Sequence, residues 1–177
     1  MKRSAKSLVL GLFIVLFVSV GVAKAQSYRT DSSGSYVSQG TPIDTNGDGQ
    51  TADLYITSGN GSVFGQITSQ TVAEWSFGSP TTCPAGTVVE GTLVSGANVS
   101  RTMDGDLLYD VVTSGTLCFD GTVSTITAVG DIVGGTGKLS GATGTLFISA
   151  IATPLSADPA GHQFGSVTAT ATGEINK

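Results

Sequence analysis

The sequence predicts an all-β domain, an eight-stranded antiparallel up-and-down β-barrel, with a two-sheet β-sandwich as the alternative. Three observations carry that prediction. Thr, Val and Ile make up 51 of the 177 residues, and these β-branched side chains suit a pleated surface. Glycine, at 25 residues, is roughly twice as frequent as in an average chain and punctuates the β-branched runs. No stretch combines a helical apolar period with capping residues, which excludes a helical bundle.

Taken in order, residues 1–25 read as an export signal: a basic start (Lys2, Arg3, Lys6), an apolar run from Leu8 to Ala23, and the small-residue exit Ala23-Lys24-Ala25. The run is short for a bilayer span and no basic stop follows, so no membrane span is expected once the signal is cleaved. Residues 26–41 are polar and Ser-rich and read as a flexible lead-in, which puts the barrel domain at 42–177. Strand-like runs then follow at 53–57, 62–68, 72–77, 87–94, 99–103, 107–113, 117–119, 123–133, 145–152 and 166–171. Between them stand Ser58-Gly59-Asn60-Gly61, Ser95-Gly96-Ala97-Asn98, Asp104-Gly105, Ser114-Gly115 and Asp120-Gly121, the residues of tight turns. Strands joined this way are antiparallel neighbours, and full closure hides their edges most completely. A lipid-embedded barrel would need aromatic girdles and an apolar outer face, but the aromatics are few and Ser166 to Thr172 alternates small apolar residues with hydroxyls.

Charge and cysteine content narrow the function. Without Lys2, Arg3, Lys6 and Lys24, four basic residues remain against 13 acidic ones. So acidic a surface repels phosphate backbones and anionic headgroups, which excludes nucleic acid as a partner. In an exported chain Cys83 and Cys118 are expected to pair.

The glycine-rich stretch Gly134-Gly135-Thr136-Gly137-Lys138-Leu139-Ser140-Gly141-Ala142-Thr143-Gly144 fits neither a phosphate loop nor a dinucleotide fingerprint. Glycines at a barrel corner, where strands bend and backbones approach closely, account for it. This stretch resembles the Gly-Thr-Gly-x-(Phe/Leu)-x-Gly-Ala-x-Gly signature of the allene oxide cyclase and dirigent-type barrel superfamily, in particular its secreted bacterial members. Weaker likeness extends to Asp44-Thr-Asn-Gly-Asp-Gly49, Cys83-Pro-Ala-Gly86 and Asp104-Gly-Asp-Leu-Leu108. The resemblance implies an eight-stranded barrel with an apolar lumen that holds a lipid-like or phenolic molecule, in a superfamily that includes a cyclase of unsaturated fatty-acid epoxides. It carries no catalytic residue onto this chain.

Candidate sites come from the residues themselves. Asp44, Asn46 and Asp48 alternate before Gly49 like the first half of a calcium loop, with Asp53 as the nearest further acid; the competing reading is a turn whose side chains cap their own backbone. If Ser95 to Asn98 is a turn, Arg101 lies diagonal to Glu90 on one strand face. Facing inward, the pair would be a desolvated acid/base site; facing outward, a surface ion pair. Glu74, beside Trp75, carries the same ambiguity, and Trp75 is expected in the core. His162 is the single imidazole, in a Gly/Pro loop, and no nucleophile elbow exists, so hydrolysis is not expected. No nucleotide, haem or flavin site is visible, and calcium is the one cofactor in view. These features favour a secreted barrel that binds a small hydrophobic molecule or serves as an extracellular interaction module. The alternatives are an isomerase or cyclase of the allene oxide cyclase type and a structural envelope or matrix protein.

Overall fold

The computed structural model describes residues 24–177, so the signal reading of residues 1–23 lies outside the described residues. Eight strands close an antiparallel barrel in chain order: β1 (Ala25–Val37), β2 (Asp53–Gly61), β3 (Gly65–Gly78), β4 (Val89–Thr102), β5 (Leu107–Phe119), β6 (Ser124–Gly135), β7 (Thr143–Ala157) and β8 (Gln163–Asn176). A single 3₁₀ turn, Gly137–Leu139, interrupts the β6–β7 connection. The eight-stranded up-and-down barrel expected from the sequence is the architecture observed, and the sandwich alternative is not.

Two boundaries differ from expectation. The Ser-rich lead-in is β1, which pairs with β8 from Ala25↔Asn176 to Val37↔Phe164 and with β2 from Thr30↔Gly61 to Val37↔Leu54. Its apolar content is low, yet Tyr28, Thr30 and Tyr36 alternate inward and are buried, while Arg29, Asp31 and Ser33 face water. The domain therefore starts near residue 25 rather than at 42. The ten runs also condense to seven strands, because 62–68 and 72–77 are one strand (β3), as are 87–94 and 99–103 (β4) and 107–113 and 117–119 (β5); β1 is the eighth. Gly96 and Gly115, read as turn residues, have no positive φ; they sit in strands where a side chain would meet Val112 and Trp75. True turns carry left-handed glycines, as at Gly105 and Gly121.

The interior is layered. At the end where β1 enters, Tyr28, Leu108, Ile132, Leu139, Ala142, Leu146 and Ile175 form a plug. Leu139 and Ala142 come from the glycine-rich stretch, so that stretch folds over and seals the barrel. Towards the other end, Tyr36, Tyr55, Trp75, Leu117, Ile126 and Val167 form a second layer; Trp75 is in the core as expected. That end carries the long loops 38–52 and 79–88.

Cys83 and Cys118 form a disulfide with a Cα–Cα distance of 5.8 Å, tying loop 79–88 to β5. Cross-linking residues 35 apart removes loop-closure entropy from the unfolded chain worth about 3 to 4 kcal/mol. Denaturant unfolding with and without reductant is expected to show a stability loss of about that size; identical midpoints would mean that the bridge adds nothing.

Candidate functional site

The barrel holds two chambers divided by Tyr55 and Trp75, which line both. The inner one is a lumen cavity of about 130 Å³ between the dividing layer and the plug. Its walls are mainly Ile67, Leu93, Leu108, Val112, Ile126, Leu146, Ile148 and Val167, interleaved with small residues such as Ala128, Ala150 and Ala169. The outer one, about 350 Å³, is the mouth beneath loop 38–52 and the β7–β8 turn.

One side of the lumen is polar. The Asn98 amide donates to Asp110 Oδ1 at 2.7 Å and to Ser100 Oγ at 3.0 Å, and Asn98 Oδ1 accepts from Thr71 Oγ1 at 2.9 Å. Ser69 and Ser100 share a hydrogen bond of 2.7 Å. Asp110 is 3 % exposed, and burial pushes its carboxyl up to about 6 against the pull of the Asn98 bond. The buried Thr30 hydroxyl, also lining the lumen, has no partner among the described residues. The lumen thus presents a weakly satisfied carboxyl and a free hydroxyl to an otherwise apolar space.

In the mouth, Asp53 accepts from Gln39 N–H at 2.9 Å and from the Tyr55 hydroxyl at 3.0 Å. Burial again dominates and raises Asp53 to about 6. The Tyr55 hydroxyl is pushed well up by its own burial and by the neighbouring Asp53 charge.

The sequence candidates lie elsewhere. Glu74 and Glu90 are buried, but on the outside of the wall, each beneath a loop. Glu74 accepts from Thr45 N–H at 2.9 and 3.0 Å, Thr45 Oγ1 at 2.6 Å and Ser95 Oγ at 3.2 Å, bonds that hold it below the usual carboxylate range. Glu90 accepts from Thr81 N–H at 2.6 Å, Thr82 N–H at 2.8 Å and Thr82 Oγ1 at 2.8 Å, and these donors bring it down to about 2. Both are loop anchors. Arg101 does not meet Glu90: they stand towards opposite ends of β4, and Arg101 is exposed. The expected diagonal fails because residues 95–98 continue the strand through a bulge instead of turning.

Nor do the four expected calcium ligands converge. Asp44 accepts from the Gly47 and Gly49 N–H groups, Asn46 and Asp48 bond each other, and Asp53 lines the mouth instead, bonded to Gln39 and Tyr55. Among the described residues no three His, Cys, Asp or Glu side chains group as an ion site. The loop thus has the bonding of a self-capping turn. His162 Nδ1 pairs with Asp158 at 2.9 Å, within the β7–β8 turn.

Sequence reasoning passed over Asp110, Asn98 and Thr30, although Leu108, Asp110 and Val112 alternate and place an acid on an apolar face. Comparison with protein-family models, with curated proteins and with solved structures gives no match.

The two groups of carboxylates titrate in opposite senses. Glu90, held down to about 2, contributes stability above its unfolded value near 4.5 and loses it as pH falls towards 2. Asp53 and Asp110, raised to about 6 from 3.8, favour the folded state when protonated and cost stability as pH rises from about 4 to 6. Thermal melts are expected to peak between about pH 4 and 5 and to decline on both sides. Asp53→Asn with Asp110→Asn should flatten the decline above pH 5, and Glu90→Gln the one below pH 4. Wild-type slopes in these variants would mean that other groups control the profile.

Proposed function

We propose that the protein is an exported barrel that binds a small, mainly apolar molecule in its lumen. One observation carries this reading: the lumen is an apolar cavity of about 130 Å³ that keeps a buried carboxyl, Asp110, with no cationic partner among the described residues. A purely structural barrel gains nothing from a buried, half-satisfied acid, which costs stability. An engineered apolar cavity of about 150 Å³ binds benzene, so the lumen suits a single-ring compound. Asp110 and Thr30 supply hydrogen-bonding partners for one polar group on that ring, such as a phenolic hydroxyl. Export is supported by the signal features of residues 1–25 and by the disulfide.

The isomerase or cyclase reading has one observation in its favour. A carboxyl near 6 can both give and take a proton near neutral pH, and a rigid apolar wall can hold a reactive substrate folded. Its substrate would be of single-ring size; a long-chain fatty-acid epoxide needs more room than the lumen offers while Tyr55 and Trp75 stay in place.

Titration of the mature protein with benzene and phenol, followed by NMR of the Ala128, Ala150 and Ala169 methyls, tests the binding reading. Both ligands are expected to bind at about millimolar Kd or tighter, phenol the more tightly. Ala169→Phe should fill the cavity and abolish both, while Asp110→Asn should weaken phenol and spare benzene. Undiminished binding to the filled variant would place the ligand outside the lumen and overturn the proposal.

A further inference from the structure

We propose that the mouth chamber is a second binding site, independent of the lumen, for a small organic cation: an alkylammonium group held by the Asp53 carboxylate among the rings of Tyr36, Tyr55, Trp75 and Phe119. Twelve aromatic residues occur in the whole chain, and five of them, these four rings and Phe77, line this one chamber of about 350 Å³. The chamber is therefore where the fold spends its few aromatic side chains. Tyr36 and Tyr55 stack on each other with ring centroids 5.9 Å apart, and both line the chamber. Aromatic faces attract ammonium groups through the ring quadrupole, and the attraction grows as water is excluded.

Asp53 supplies the charge. It is 8 % exposed, and its two hydrogen bonds come from Gln39 N–H and the Tyr55 hydroxyl, which leaves acceptor capacity on both oxygens. No Lys, Arg or His lines the chamber. The ion pairs among the described residues are Arg29–Asp31, Lys138–Asp104 and His162–Asp158, none of which involves Asp53. A buried carboxylate without a counter-charge is costly, and an incoming cation removes that cost.

The backbone around it is also committed. Gln39, whose N–H bonds Asp53, has φ +52°, and it is the one non-glycine residue with positive φ among the described residues. A side chain in that conformation costs free energy, and such positions gather at ligand sites. The acidic surface adds long-range attraction for cations at the open end.

Trp75 is the chain's single tryptophan and lines both chambers, so its fluorescence reports on occupancy of either, and Asp53→Asn assigns the response to the mouth. The test titrates the mature protein with choline and with its neutral carbon isostere, 3,3-dimethyl-1-butanol. Choline is expected to shift Trp75 emission saturably, with the isostere at least about tenfold weaker, a gap of 1.4 kcal/mol. Asp53→Asn is expected to lose at least about tenfold in choline affinity while keeping the wild-type far-ultraviolet circular dichroism spectrum, which shows that the barrel is intact. Phe119→Leu, a milder change at the rim, should weaken choline and keep the preference for the cation. Equal binding of choline and isostere would make the chamber a neutral pocket and overturn the proposal. So would wild-type choline affinity in Asp53→Asn, or an absence of any choline response in the folded wild-type protein.

Discussion

Pairing of β1 with β2 on one side and with β8 on the other closes the sheet, and the rest of the structure follows from that closure. Open, β2 and β8 would each present an unpaired row of backbone donors and acceptors to solvent. Closed, the sheet has no edge, and every inward side chain leaves water at once. An inward residue must then be apolar, be bonded within the wall, or bear a desolvation cost. The small inward residues of β8, Val167, Ala169 and Ala171, face the lumen, and it is their size that leaves a cavity where larger side chains would fill it.

The same closure sorts the acids. Glu74 and Glu90 face outward, where loop backbone can fold over them, and each collects several N–H and hydroxyl donors that stabilise its charge. Asp53 and Asp110 face inward, where the neighbouring backbone groups are already spent on the ladder, and they collect only one or two donors. Chemically equivalent carboxyls therefore move in opposite directions because donors differ in supply. The outward pair organises the loops that frame the mouth. The inward pair faces the spaces where a ligand would sit. The loop over Glu90 is held twice, since Cys118, the cross-strand partner of Glu90, bonds Cys83 in that same loop.

Fold class was open to reading because it depends on composition and on alternation, both of which are local. Strand count and facing were harder, for reasons visible in β4 and β5. In β4, Gly91 and Leu93 point inward at odd positions, whereas Gly96, Asn98 and Ser100 point inward at even ones; the bulge opposite Glu74 and Trp75 absorbs one residue and swaps the parity. Simple alternation would put Glu90 and Asn98 on one face, but the bulge sends Glu90 outside and Asn98 into the lumen. In β5 the shift near Thr113 does the same, so that Asp110 and Leu117 share the interior despite opposite parity. Gly96 and Gly115 misled the turn reading because glycine serves two ends: left-handed backbone in a turn and absence of a side chain in a crowded wall. β1 was hidden by its serines, since the ladder that forms it is backbone pairing and makes little demand on side chains.

The interior division also has a local cause. A Cβ on Gly115 would lie 3.3 Å from the Trp75 ring and 3.2 Å from Ala128 Cβ, so the bare backbone of β5 is what lets the indole reach across the barrel. Gly165 does the same for Tyr36, whose ring occupies the space a side chain there would take. Gly115 thus admits the indole that, with Tyr55, separates an apolar lumen from an aromatic mouth, and Gly165 admits the Tyr36 ring to the mouth wall. Each space then receives one buried acid, Asp110 below the partition and Asp53 above it. Division by Tyr55 and Trp75 lets a single small fold keep two chemically distinct cavities, and Gly115, the strand glycine that makes room for the indole, is one that a sequence reading takes for a turn.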